Sequence, residues 1–574
     1  MQLKRYLICG LTTTLGLLAD TSFAQQTGLI NTLTQQNHWV DSVFNKLSRR
    51  EKIGQLFFVR AHTNRGQAYS DSVGKVIQDE HIGGLVFFQG GPVRQANLTN
   101  NYQKLAKVPL MIAMDGEWGL GMRLDSTVSY PYQMALGAVQ DNNLIYKMGQ
   151  MVAYDFKRLG MQINFGPVMD VNNNPENPVI NYRSFGDNKY NVVRKGIAYL
   201  KGMQDGGLIA IAKHFPGHGD TNVDSHFDLP LLPFTRARLD SLELYPFREA
   251  INAGIGGVMI AHMNIPALDT TKNLPSTLSR PIITDLLKDS LAFKGIVASD
   301  AMEMKGVTKY FPNGEADLKA FMAGIDLLEL SQNSYNAAKL IRKAVRKHKI
   351  TQEEFDAKVK KILAAKYWAG LNNYTPINTK GLSQDLNRSA AAQLVQQLSD
   401  AAVTLLKGDS RLLKHDTTKR TAIVSIGVTE RTVFQKELCK AYPNGMLFLV
   451  GKNTSLADLN RMLAALKTYD QVFIGIHDTR LRPQSKLDYS SDVKFLIAEL
   501  AAKTNAVVSV FANAYTIAGL PGIEKSSAIL ACYQKDDAMQ RAAVKVILGQ
   551  IKPIGKLPVS VNSFFGTGAG VNQL

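Results

Sequence analysis

Short apolar runs, each ended by a polar residue, recur through the first two-thirds of the chain. They predict strands over residues 55–60, 84–89, 110–115, 163–170, 208–214, 257–262, 295–300 and 324–330. Runs this short, apolar throughout rather than alternating, suit strands buried on both faces, as in a parallel sheet. Segments with helical period separate most of them, at 142–159, 191–205, 244–253 and 316–323. Upstream, 37–47 reads as a helix, and Ser48-Arg49-Arg50-Glu51 matches a capping box that starts another. Roughly eight strand–helix units over about 320 residues is the content of a (β/α)8 barrel. The expected fold class is therefore α/β, a TIM-type barrel followed by a second domain.

The rhythm pauses over 367–382, where Gly, Asn, Thr and Pro predict a linker. It resumes with strand-like runs at 403–406, 421–427, 447–450, 472–477, 507–512 and 528–533, and with helices at 455–467 and 491–503. That alternation predicts a smaller α/β sandwich with a largely parallel sheet. A last strand is expected over 557–561, with loose chain after Phe565. The boundaries expected are a signal peptide over 1–24, the catalytic barrel over 25–370, the linker over 371–388 and the sandwich over 389–574.

Composition narrows the class. The chain has 574 residues, 45% of them hydrophobic and 20% charged, which suits a globular protein of two domains. Lys4 and Arg5 precede an apolar segment over 6–19, and Ser22-Phe23-Ala24 offers small residues for cleavage after Ala24, so export to the periplasm or beyond is expected. No later segment is long enough to span a bilayer. Only Cys439 and Cys532 remain after cleavage, too few for a disulfide framework. The net charge of +18 is dispersed, apart from a run over 342–349. It fits either affinity for an anionic cell-wall glycan or a merely solvated basic surface. No nucleic-acid motif accompanies it.

The chemistry concentrates where one strand ends. The run 208–212 leads into Lys213-His214-Phe215-Pro216-Gly217-His218-Gly219-Asp220, and the loop continues through Asp224 to His226. This window holds an ammonium, imidazoles and carboxylates, a mixture that serves general acid–base work and hydroxyl binding together. Asp115, Asp170, His262 and Asp300 sit at the ends of other runs. Any one of them alone reads as a cap or a structural carboxylate. Together, at the carboxyl ends of barrel strands, they predict a shared pocket.

These stretches resemble glycoside hydrolase family 3, in particular its bacterial β-N-acetylglucosaminidases that trim peptidoglycan fragments. The resemblance rests on residues 115–123 (DGEWGLGMR), 165–170 (FGPVMD), 183–187 (RSFGD), 213–226 and 299–304 (SDAMEM), and more loosely on 549–561. It implies hydrolysis with retention of configuration, with Asp300 as nucleophile, His226 as acid/base and Asp224 as its orienting partner. It also implies that Asp115, Arg123, Arg183, Lys213 and His214 bind the non-reducing-end sugar, with no metal or other cofactor. The partner it implies is an N-acetylglucosamine-containing glycan or muropeptide. Ala301, following Asp300, departs from the Asp or Trp common there, and the missing Trp argues against a glucosidase.

Other readings stay open at this point: a β-glucosidase or β-xylosidase of the same family, a glycoside phosphorylase, a metal hydrolase built on His214, His218, Asp220 and His226, or a non-catalytic cell-wall-binding protein.

Overall fold

The computed structural model describes residues 28–408, 416–481, 487–503 and 505–571. The expected signal peptide lies outside the described residues. Among those described, no helix is long and apolar enough to cross a membrane.

Eight short parallel strands form the first unit: β1 (Phe57–Ala61), β2 (Gly84–Phe87), β3 (Met111–Met114), β4 (Ile163–Asn164), β5 (Ile209–Phe215), β6 (Gly257–Ile260), β7 (Ile296–Ser299) and β8 (Leu328–Glu329). They pair in chain order, and β8 returns to β1. The ring closes between β7 and β8 through the Ala298–Leu327 bridge, where the Ser299 N–H donates to the Leu327 carbonyl at 3.0 Å. Each strand falls within or beside a predicted run. The intervening helices include Asn142–Arg158, Lys189–Asp205, Tyr245–Asn252 and Glu315–Ala323. The capping box forms as read, Ser48 with Glu51. At the base of the barrel, buried Asp326 accepts from the Val297 N–H at 3.0 Å and from Lys361 Nζ at 3.0 Å. Those bonds tie β7 and β8 to the helix Gln352–Trp368.

The segment after that helix lies along the barrel. The Asn100 side chain accepts from the Ile377 N–H at 2.7 Å, and Arg158 Nε donates to Asp385 at 2.8 Å. A second sheet then forms from β9 (Thr404–Lys407), β10 (Thr421–Ile426), β11 (Met446–Val450), β12 (Gln471–His477), β13 (Ala506–Phe511) and β14 (Ala528–Ala531). Its order is β11-β10-β12-β13-β14-β9, parallel except for the β14–β9 pair. This is the expected α/β sandwich with a largely parallel sheet. Cys439 and Cys532 are both free thiols.

The tail corrects two expectations. Residues 557–561 form no strand. Instead the segment turns back on itself, with the Leu557 N–H donating to Ala569 at 2.8 Å and the Gly568 N–H to Leu557 at 2.7 Å. The described residues beyond Phe565, 566–571, are anchored rather than loose, since the Val571 N–H donates to Leu405 at 2.8 Å. The apolar residues that suggested a strand are buried: Leu557 and Val559 are 1% and 0% exposed. Burial was read correctly, but the partner is the barrel: Asp187 accepts from the Ser560 N–H at 2.7 Å, and its own N–H donates to the Pro558 carbonyl at 3.1 Å.

A second inter-unit contact bears on the barrel loop over 172–186. Asn513 Nδ2 donates to Asn181 Oδ1 at 2.6 Å, and Asn172 Nδ2 donates to the Tyr515 hydroxyl at 3.0 Å. Asn181 has a positive φ of 43°, unfavourable without local support. All four residues are buried. Asn513→Ala leaves the buried Asn181 oxygen without this donor, and an unsatisfied buried polar group costs about 1–3 kcal/mol. Thermal unfolding should show a lower midpoint for that variant, and an unchanged transition would mean that the two units do not support each other there.

Candidate functional site

A cavity of 260 Å³ opens at the carboxyl ends of the barrel strands, lined among others by Asp115, Arg183, Lys213, His226, Asp300 and Glu329. Asp115 follows β3, Lys213 and His214 end β5, Asp300 follows β7 and Glu329 ends β8. The loop after β5 can turn away sharply because Gly217 adopts φ 133°. Gly219 approaches so closely that a β-carbon there would lie 1.8 Å from the Val171 carbonyl oxygen.

Lys213 is the hub. Its ammonium, 2% exposed, donates to Asp115 at 2.7 Å and lies 2.9 Å from Glu117. Each carboxylate has a second cation: Arg123 on Asp115 at 2.6 Å, and Arg183 on Glu117, where Nη2 reaches one oxygen at 2.6 Å and Nε the other at 2.9 Å. Burial alone would raise both carboxyls, but Lys213 and Arg123 hold Asp115 well below the usual carboxylate range, and Arg183 and Lys213 hold Glu117 down at about 2. The same carboxylates raise Lys213 and Arg183 against their own burial.

His214 is oriented from both sides. Its Nδ1 lies 2.7 Å from Asp170, which also accepts the His218 N–H at 2.7 Å, and its Nε2 lies 3.3 Å from Arg183 Nη2. Those partners select the tautomer with the proton on Nδ1. Asp170 is held low despite burial, by the His214 imidazole first. His218 is pushed down to about 4 by burial and contacts Thr221 and Ser225.

Asp300 is half-buried at the cavity. Burial would raise its carboxyl, yet the imidazoles of His262, His214 and His226 and the Ala301 N–H, donating at 2.8 Å, hold it below its ordinary value. His226 also lines the cavity, its side chain 61% exposed. Its Nδ1 lies 2.7 Å from Asp224 Oδ1, which also accepts the His226 N–H at 2.9 Å. That contact raises the imidazole above its usual value, against partial burial. Nδ1 is thus turned to Asp224, leaving Nε2 for the cavity.

All the sequence-predicted residues, Asp115, Arg123, Arg183, Lys213, His214, Asp224, His226 and Asp300, therefore come to one end of the barrel. The residues of the metal alternative do not converge: His214 turns to Asp170, His218 to Thr221, Asp220 to Arg238 and His226 to Asp224. Two buried carboxylates escaped the sequence reading. Glu117 sits inside the DGEWGLGMR stretch, so its acidic side chain two residues after Asp115 was available as a signal. Glu329 ends an apolar run with no motif around it, and only its position at a strand end marks it. A larger cleft of 760 Å³ adjoins the cavity across Tyr182 and is walled by the loops after β10 and β12.

Removing the hub cation would leave Asp115 and Glu117 with one arginine each and a cation short. Lys213→Met should cost about 3–5 kcal/mol at pH 7, the range for breaking one partner out of a buried ion pair. Because Asp115 and Glu117 are depressed in the folded state, their contribution is present above the ordinary carboxylate range and is lost as pH falls towards about 2. The difference between variant and wild type should therefore narrow on acidification, as denaturant titrations at a series of pH values would show.

Comparison with known proteins places this geometry. The model of the glycosyl hydrolase family 3 N-terminal domain matches residues 48–365, the stretch that carries all eight barrel strands. A β-hexosaminidase A of Pseudoalteromonas piscicida is 28% identical over 85% of this chain and 90% of its own length. A β-N-acetylglucosaminidase/β-glucosidase of Cellulomonas fimi is 28% identical over 65% of this chain and 67% of its own. Among solved structures, a glycoside hydrolase family 3 β-N-acetylglucosaminidase from Paenibacillus sp. str. FPU-7 is 32% identical, with a TM-score of 0.75 over 89% of this chain and 98% of that one. With its barrel matched from end to end and the two-unit architecture shared, the chain belongs to glycosyl hydrolase family 3 and is a glycoside hydrolase.

Proposed function

We propose that this hydrolase is a retaining exo-β-N-acetylglucosaminidase that removes terminal N-acetylglucosamine from peptidoglycan-derived or other β-glycosides after export. The observation that carries the reading is the His226–Asp224 pair at 2.7 Å, standing on a loop at the cavity that holds Asp300. The names of the relatives from Pseudoalteromonas piscicida and Paenibacillus support the substrate. The basic net charge of +18 and the apolar N-terminal segment support an anionic wall fragment and export.

In this reaction the Asp300 carboxylate attacks the anomeric carbon while His226, protonated, gives its Nε2 proton to the departing oxygen. Neutral His226 then takes a proton from water, which attacks the anomeric carbon and releases Asp300. Asp115, Arg123, Arg183, Lys213 and His214 hold the sugar. The Cellulomonas fimi relative, whose name joins both activities, favours β-glucosidase as the second reading. Comparing aryl N-acetylglucosaminide with aryl glucoside hydrolysis by the purified protein decides between them. Phosphate dependence of the products separates hydrolysis from phosphorolysis.

Asp300→Ala should abolish turnover with the fold intact, and a slow fluorinated donor should label Asp300. Wild-type-like rates in that variant, or a label elsewhere, would relocate the nucleophile.

A positioned acid/base is worth roughly 10²–10⁴-fold. His226→Ala should lose that factor on a natural sugar leaving group. On a nitrophenyl glycoside, which needs little help to depart, the glycosyl-enzyme should accumulate and azide should restore turnover. Equal losses on both substrates without rescue would remove His226 from this role.

Asp224→Ala should act on pH dependence. Asp224 raises His226, so the protonated acid persists to higher pH in the wild type. Without that carboxylate the alkaline limb of kcat/KM should move to lower pH, while the acid limb, set by Asp300, stays. An unmoved alkaline limb would show that Asp224 does not tune the imidazole.

A further inference from the structure

Glu329 has no part in the mechanism above, yet it is the buried carboxyl of the cavity that no cation claims. It ends β8, with its N–H donating to Ser299 Oγ at 2.9 Å and its carbonyl accepting the Met302 N–H at 2.9 Å. Those bonds fix the backbone beside Asp300. The side chain lines the sugar cavity, is 3% exposed, and leaves Oε2 buried without a hydrogen-bond partner among the described residues. The charged groups facing it are Asp115 from the end of β3, Asp300 from the end of β7, Lys213 from β5 and Arg60 from β1. Neither cation is free for it: Lys213 bridges Asp115 and Glu117, and Arg60 pairs with Glu303. A charged Glu329 would thus be a further buried anion beside two others with nothing to balance it.

We propose that Glu329 is a specificity-determining residue that stands in the cavity as a neutral carboxylic acid and donates a hydrogen bond to a hydroxyl of the bound sugar. The acceptor arrives with the substrate. A sugar hydroxyl both donates and accepts, which a neutral acid can match at one site. Burial, and the charges of Asp115 and Asp300, push Glu329 well above the carboxylate range, consistent with the neutral form at working pH. This inference rests on reading the cavity as the sugar site.

Glu329→Gln keeps a donor and an acceptor but cannot ionise, whereas Glu329→Leu keeps neither. On whichever aryl glycoside the wild type turns over, Glu329→Leu should raise KM by about tenfold or more, with Glu329→Gln within about threefold of wild type. Glu329→Met serves if the Leu variant fails to fold. The thermal midpoint supplies a readout that needs no substrate. A carboxyl raised in the folded state contributes stability that is lost as pH rises, so Glu329→Gln should gain on the wild type steadily from about pH 5 to pH 8. Wild-type kinetics in the Leu variant, losses in Gln equal to those in Leu, or a midpoint difference flat with pH would each overturn the proposal. Activity on glucosides alone would defeat the substrate reading above and leave this test standing.

Discussion

One ammonium shared between two buried carboxylates sets the form of the site. Lys213 has almost no access to water, and it bridges Asp115 and Glu117 at 2.7 and 2.9 Å. Each carboxylate then recruits its own arginine, Arg123 from the loop after β3 and Arg183 from the loop after β4. Such a cluster is poor value as stability, because desolvating the charges consumes most of what their attraction returns. What it provides is position. Five charged side chains from three stretches of the chain, 115–123, 183 and 213, are held by bonds of 2.6 to 2.9 Å, so their donors and acceptors are fixed in place.

That positioning extends beyond the barrel. Arg183 follows Asn181 and Tyr182 in a single short turn, and Asn181 is held by Asn513 of the second unit. The same loop ends at Asp187, which holds the C-terminal tail through Ser560 and Pro558. The second sheet contributes no acid/base group to the 260 Å³ cavity, but it braces the loop that carries one of the cavity's arginines. Its loops also wall the larger cleft beyond Tyr182.

The barrel was legible because its strands are buried on both faces, and a run such as 208–214 has no other use for so many apolar residues in a row. The site was legible for a related reason: a polar residue ending such a run, like Asp115 or Asp300, has to face either the pocket or the loops. What stayed hidden depends on contacts between distant segments. Glu117 is acidic in a polar loop, and only the Lys213 and Arg183 side chains arriving from elsewhere give it meaning. Glu329 differs from a capping carboxylate only in the partner it lacks. The tail read as a strand because burial alone cannot say whether a sheet or a loop supplies the neighbours, and here Asp187 and the tail itself do.

In the mechanism we propose, the contrast between Asp300 and His226 explains why an imidazole suits the acid/base role in this cavity. A nucleophile must stay ionised, and Asp300, proposed for that role, is held low although half-buried, because imidazoles surround it and the Ala301 N–H donates to it. Asp115, Glu117, Asp170 and Asp300 already place four anions within the same end of the barrel. A carboxylic acid in the acid/base role would pass from neutral to negative when it protonated the leaving group, adding charge where repulsion is greatest. An imidazolium passes from positive to neutral and relieves that field instead. His226 draws its raised proton affinity first from Asp224 on its own loop, with a further contribution from Asp300. The strongest influences on the two groups differ, Asp224 on His226 and the His262 and His214 imidazoles on Asp300, and each group also favours the charged form of the other.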